Sequence, residues 1–332
     1  MKIKCNSHKI RTGIALSMLL CLFACKKKDY EIPVLPGNLQ NDVIKRSLGP
    51  NVAGLNIEFA YAMALAKANG KIVSAQVEAS IPGATGTFLE HRSFYTNSSG
   101  QDIGVTVASP SVTNKNTTSV AFTVDTNAAT LRYYYVVPQE AKGRQVSFTF
   151  SAKSSNGETV SYQMGPYAIS KVDMVLDLPV SDGNACYISI ANNAVYNSTN
   201  AAANADKIDL VYLHRAIPNI QFAHALVAPA ADPMYLPGIT LPTGVNRTAL
   251  ITKANQLRDQ QLARLQYGVF IDDLDFEQLN LANAPNYAIN LKAQSGIWLE
   301  TADKKYRAFV YVNSINDAAK SAVISIKRYA LQ

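Results

Sequence analysis

Four histidines, four cysteines and one dense run of carboxylates are the residues of this chain whose types suit chemistry. Two imidazoles four residues apart on a helix can hold a metal ion, and a thiol beside an imidazole can act as a nucleophile. His91, His214 and His224 fit neither local pattern, since no two share a helix face, and a site made from them requires long-range convergence. Cys186 precedes the strand-like run Tyr187-Ile188-Ser189-Ile190, a setting in which cysteine is usually a small buried residue; a nucleophile assisted by a histidine is the alternative. Asp272, Asp273, Asp275 and Glu277 lack the glycine and ordered ligand spacing of a calcium loop, so they read as a solvated strand edge or turn. No nucleophile elbow, H-E-x-x-H, phosphate loop or dinucleotide fingerprint is present. The sequence therefore assigns no catalytic residue, no metal site and no cofactor, and the chain is expected not to be an enzyme.

Two aromatic positions are candidate ligand contacts. Trp298, the single tryptophan, lies in Gly296-Ile297-Trp298-Leu299, and in Tyr133-Tyr134-Tyr135 a period of two turns Tyr134 away from its neighbours. Either ring can stack on a sugar or peptide, and either can equally belong to the core.

The clearest chemistry is at Cys25. Lys2, Lys4, Lys9 and Arg11 precede about a dozen mostly apolar residues, a stretch shorter than the roughly 20 needed to span a bilayer. Leu22-Phe23-Ala24-Cys25 resembles a bacterial lipobox, with Phe23 departing from the usual small residue. Residues 1–24 are thus expected to be a cleaved signal peptide, with Cys25 the lipid-bearing first residue of the mature chain. The formal charge of +7 falls to +3 once the four basic residues of the leader are removed, and no basic cluster of nucleic-acid type remains. Lys26, Lys27 and Lys28 would lie beside the lipid, against anionic head groups. Cys5 and Cys21 leave with the leader, so Cys186 is the only free thiol and the fold must be held by its core.

Residues 25–41, with Pro33 and Pro36 and no apolar periodicity, read as a tether, and the charged run 26–31 suits the outer face of the outer membrane. Within 42–172, from about residue 55 to 170, a period of two dominates, as in Val73–Glu78, Val120–Val124 and Val146–Phe150, with Ile57, Phe59, Tyr61, Met63 and Leu65 on one face. Asn156-Gly157 predicts a type I′ hairpin. This half is expected to be an immunoglobulin-like antiparallel β-sandwich. Residues 173–332 are expected to form an α+β domain, a largely antiparallel sheet with one main helix over 249–266, where Leu250, Ala254, Leu257 and Leu265 form a stripe, Thr248 caps and Gly268 terminates.

The segments IKRSLGPN (44–51), IEFAYAMAL (57–65), GKIVSAQVEASI (70–81), TLRYYYVVP (130–138), NGETVSYQMGPYAIS (156–170), DKIDLVYLHR (206–215), LARLQYGVFIDDLDF (262–276) and KSAVISIKRY (320–329) resemble a Bacteroidota lipoprotein family catalogued as a domain of unknown function. The resemblance runs from about residue 41 to 329. It implies an outer-membrane, surface-exposed accessory lipoprotein of a SusC/SusD-type nutrient importer, handling an oligopeptide or glycan, and it carries over no catalytic residue. A fimbrial subunit, processed at Lys45-Arg46 to expose an acceptor groove, is the alternative; a hydrolase or a lipid-binding protein is a further one.

Overall fold

The computed structural model describes residues 37–331. The expected signal peptide, Cys25 and most of the tether lie outside the described residues. The first half carries β1 (Gln40–Lys45), β2 (Asn56–Ala64), β3 (Ile72–Ala79), β4 (Phe88–Leu89), β5 (Arg92–Thr96), β6 (Asp102–Thr106), β7 (Val112–Asn114), β8 (Thr117–Ala121), β9 (Ala128–Val136), β10 (Gln145–Ser154) and β11 (Thr159–Ala168). A four-stranded sheet in the order β1-β2-β9-β4 faces a five-stranded one, β11-β10-β3-β8-β7, and β5-β6 forms a separate hairpin. All the strand pairs are antiparallel.

Alternation in the sequence becomes alternation in burial. Along β2, Ile57, Phe59, Tyr61 and Met63 are buried while the residues between them face outward. Phe59 meets Phe148 and Phe150 of the opposing sheet at 4.9 and 5.2 Å between ring centroids, and Tyr135 meets Phe148 edge-on at 4.9 Å. Such pairs add roughly 0.5–1.5 kcal/mol each beyond the area they bury. Folded structure begins slightly earlier than the end of the expected tether: Leu39 is buried, its amide donates to Glu158 Oε2 at 2.6 Å, and β1 starts at Gln40.

The β10–β11 hairpin exists, but its turn is not type I′. Lys153 pairs with Thr159, and of the Asn156-Gly157 pair only the glycine takes a positive φ, 90°. Asn156 instead uses its side chain, Oδ1 accepting the amide of Glu158 at 3.1 Å, which stabilises a longer loop without a left-handed asparagine.

The second half carries β12 (Val172–Ser181), β13 (Tyr187–Ser189), β14 (Ala194–Tyr196), β15 (Leu210–Ile217), β16 (Ile220–Val227), β17 (Leu250–Ala254), β18 (Tyr287–Leu291), β19 (Gly296–Glu300), β20 (Tyr306–Asn316) and β21 (Ser321–Ala330). These make two antiparallel five-stranded sheets, β12-β21-β20-β19-β17 and β14-β13-β15-β16-β18. Their inner faces share one core, in which Val211, Leu213 and Ala225 meet Ile297, Val310, Ile324 and Ile326.

The mainly β class is therefore as expected, and among the described residues the α-helical part consists of three short helices, α1 (Ser198–Ala202), α2 (Gln260–Ala263) and α3 (Asp273–Glu277). The single helix expected over 249–266 is replaced by two elements. Leu250–Ala254 pairs with β19 and buries Ile251, which lies outside the stripe, so Thr248 caps nothing helical. Only Gln260–Ala263 is helical. It is capped by Asp259, whose Oδ1 accepts the Leu262 amide at 2.8 Å, and ended by Arg264 in the left-handed region at φ 52°, four residues before Gly268.

The segment from Leu257 to Phe276 folds over the outer face of the β12-containing sheet. There Leu262, Ile271 and Phe276 form a third apolar cluster with Phe309, Tyr311 and Tyr329. Beneath it lies an ion pair with no solvent exposure, Lys327 Nζ to Asp259 Oδ2 at 2.6 Å. The two halves are joined by side-chain clamps: Lys142 pairs with Asp173 at 2.5 Å, Gln261 donates to the Pro50 carbonyl at 3.0 Å, and Asp273 accepts the Lys171 amide at 2.9 Å as well as the Ser170 hydroxyl.

Candidate functional site

The acidic cluster has local structural work. Asp272 caps α3, Asp275 returns to the Asp272 amide at 2.9 Å, Asp273 clamps the domain junction, and Glu277 accepts the Tyr329 hydroxyl at 2.7 Å. A carboxylate near a helix N-terminus is stabilised by the unpaired amides there, which suits Asp272, Asp273 and Asp275, while Glu277 lies at the other end of α3. Cys186 is a core residue, and burial pushes its thiol pKa up, away from the reactive thiolate.

The two aromatic candidates are not brought together, since Tyr134 lies on β9 of the first sandwich and Trp298 on β19 of the second. Tyr134 does turn away from buried Tyr133 and Tyr135, and it stacks on Phe88 at 4.8 Å with a 20° interplanar angle. Trp298 packs against Phe276 and Phe309 at 5.3 and 4.7 Å as part of the third cluster. Its ring is occupied by protein contacts.

A polar cleft of about 440 Å³ lies between the chain leaving β17 and the turn joining β18 to β19. Lys253, Arg258 and Lys292 line it together with Asn255, Gln256, Asn290, Gln294 and Ser295, and no carboxylate does. The Lys292–Ser295 turn is tied by Ser295 Oγ to the Lys292 carbonyl at 2.6 Å and by the Gln294 amide to the Val312 carbonyl at 2.8 Å. Lys253 Nζ reaches across to the Ile289 carbonyl at 3.0 Å, linking the two sheets at the mouth.

Three of the lining residues, Gln256, Asn290 and Gln294, hold positive φ values of 58°, 55° and 64°. That backbone region is costly for residues with a Cβ and concentrates at ligand sites. Cations and side-chain amides with no competing carboxylate suit a ligand that carries carboxylates and hydroxyls.

A second cluster, formed by the long-range convergence that local spacing does not show, lies at one end of the second sandwich. His214 on β15 and His224 on β16 are direct cross-strand partners with ring centroids 4.4 Å apart. Asp317, in the β20–β21 turn of the other sheet, brings Oδ1 to 2.9 Å from His224 Nε2 and 3.3 Å from His214 Nε2. The Tyr212 hydroxyl lies 2.5 Å from His224 Nδ1. Burial holds His224 below the ordinary imidazole range, and its hydrogen bond holds the Asp317 carboxyl below the usual carboxylate range. His91 is elsewhere, on Glu90 at 3.2 Å.

Residues 36–169 match a domain of unknown function, DUF4466, and residues 170–331 match a second, DUF8576. No curated protein matches the chain. Two pilin structures are distantly similar: the C-terminal fragment of GBS80 from Streptococcus agalactiae, at 12% identity over 42% of this chain and 58% of that one, and BcpA from Bacillus cereus, at 7% over 87% and 66%. Their TM-scores of 0.25 and 0.27 are too low to support any inference about fold or role. A DUF4466 family protein from Parabacteroides merdae ATCC 43184, known from its crystal structure, is 47% identical over 89% of this chain and 99% of its own, with a TM-score of 0.84. The chain belongs to the DUF4466 family.

Proposed function

We propose that this protein is a lipid-anchored, non-enzymatic binding or accessory subunit of a SusC/SusD-like outer-membrane uptake system, and that its second sandwich offers the cleft at Lys253, Arg258 and Lys292 to an acidic glycan or oligopeptide. The observation that carries the binding role is that cleft, in which three cations and several amides converge on a strained, tightly tied backbone. Anchoring at Cys25 rests on the lipobox-like Leu22–Cys25, and the importer context on the sequence resemblance. A rigid pair of β-sandwiches held near a membrane by its N-terminus is a physically suitable carrier for such a cleft. Affinity purification of the tagged chain from detergent-solubilised outer membranes tests the role: a SusC- and SusD-like pair is expected to co-purify, and repeated recovery of the chain alone would remove the importer assignment.

A fimbrial role is favoured by one observation. β1 is an edge strand that ends at Lys45, and Arg46 immediately after it pairs with Glu58 and Asp102 at 3.3 and 3.6 Å. Cleavage after Arg46 would detach β1, uncover the edge of β2 and vacate the buried positions of Leu39 and Val43.

A further inference from the structure

We propose that His214, His224 and Asp317 form a binding site for a divalent transition-metal ion, with Zn²⁺ the ion their chemistry suits best. The inference begins with a register. Ile217 pairs with Ile220 across the two-residue connection Pro218-Asn219, so an uninterrupted hairpin would set His214 opposite residue 223 and turn His224 to the other face of the sheet. A bulge changes this. The register shifts between Arg215 and Ile217, Ala223 takes φ 47°, and His214 becomes the direct partner of His224, with both rings on one face. A left-handed alanine inside a strand is a strained arrangement, and bulges of this kind re-aim side chains beside functional sites.

The third group arrives from the opposite sheet. Asp317 leaves β20 at the turn into β21, and its side chain is 76% exposed although it contacts two largely buried rings. For metal–ligand bonds of about 2.0–2.1 Å in a tetrahedron, neighbouring ligand atoms stand roughly 3.3 Å apart. Of the two carboxylate-to-imidazole distances, 3.3 Å matches that edge and 2.9 Å falls slightly inside it, and all three ligand atoms lie within 4.8 Å of one another. Small rotations of the three side chains bring the set to that spacing. With three protein ligands, the fourth corner is left to water or to a donor from a ligand.

His224 has the outer contact a ligating imidazole uses, whereas His214 Nδ1 is buried without a hydrogen-bond partner among the described residues. The Tyr212 hydroxyl on Nδ1 orients the His224 ring and leaves Nε2 as the ligand nitrogen. The His214 backbone is pinned by its amide to Asp182 Oδ2 at 3.1 Å, and Asp182 is in turn fixed by Arg215. Two imidazoles and one carboxylate favour late first-row ions over Mg²⁺ and Ca²⁺, which prefer oxygen cages.

The test is calorimetric titration of the full-length, detergent-purified chain, stripped with a chelator, against Zn²⁺ alone. One ion per chain is expected, not displaced by excess Ca²⁺. Asp317→Asn keeps the size of an exposed turn residue and should weaken Zn²⁺ at least ~10-fold, as should Tyr212→Phe, which removes only the outer hydroxyl. His214→Ala should abolish saturable binding while the far-ultraviolet dichroism stays native. Absence of saturable one-to-one binding by the wild type, displacement by Ca²⁺, or affinity unchanged in Asp317→Asn and His214→Ala would overturn the assignment. None of these residues lines the cationic cleft, so failure here leaves the proposed uptake role untouched.

Discussion

Replacing Lys327 with methionine removes one half of an ion pair that is wholly inside the protein. Lys327 Nζ lies 2.6 Å from Asp259 Oδ2 and 2.8 Å from the Ile271 carbonyl, and both side chains have no exposure. Deleting one partner of such a pair costs about 3–5 kcal/mol, because the other charge stays buried. Here Asp259 keeps two amide donors, from Leu262 at 2.8 Å and Ile271 at 2.7 Å, which places the loss near the lower end, about 3 kcal/mol. Trp298, the only tryptophan, packs on the cluster above this pair and reports its unfolding by fluorescence. With a urea slope of about 2–3 kcal/mol/M, the midpoint should fall by about 1–1.5 M. The double variant Asp259→Asn with Lys327→Met should cost clearly less than the sum of the single changes, because neither leaves the other's charge stranded. A loss below about 1 kcal/mol for Lys327→Met, or strict additivity, would refute the claim that this pair fixes the 257–276 segment to the sheet.

Asp209 supplies a pH test. It is buried, and Oδ1 lies 3.1 Å from Arg247 Nε without a hydrogen bond, so burial raises its pKa to about 6. The folded state therefore binds a proton more readily than the unfolded one between about pH 4 and 6, and this group's contribution to stability is complete below that window and lost as pH rises through it. The shift corresponds to about 3 kcal/mol, so the stability difference between wild type and Asp209→Asn should change by that order from pH 4 to 7; parallel pH profiles would contradict it. In the cleft, changing Lys253, Arg258 and Lys292 together to glutamine should abolish salt-sensitive binding of acidic oligosaccharides or peptides in titration calorimetry and leave the melting temperature within a few degrees. Unchanged affinity would move the ligand site elsewhere.

The period of two is readable where a strand of the first sandwich buries one face against the other sheet, as β2, β8 and β10 do, so Ile57, Phe59, Tyr61 and Met63 announce themselves. Residues 249–266 differ from the expected helix because four apolar residues at near-helical spacing also fit a strand followed by one turn of helix. What decides between them is non-local, the pairing of Leu250–Ala254 with Gly296–Glu300. The cleft was invisible for the same reason, its cations coming from loops that only the packing of β17, β18 and β19 brings together. The histidine cluster was further from reach. Spacing alone sets His214 and His224 on opposite faces of a regular hairpin, and only a bulge at an alanine together with a turn from another sheet brings them to Asp317. Their positions nearly symmetrical about Pro218-Asn219 are the one trace the sequence holds.

The most direct measurement is the intact mass of the N-terminal peptide from protein extracted from its native outer membrane. A surface-anchored accessory lipoprotein should begin at Cys25 and carry the mass of its acyl chains. An unmodified Cys25, or a chain beginning at Ser47, would contradict that anchoring, and the second result would turn the assignment toward the fimbrial role.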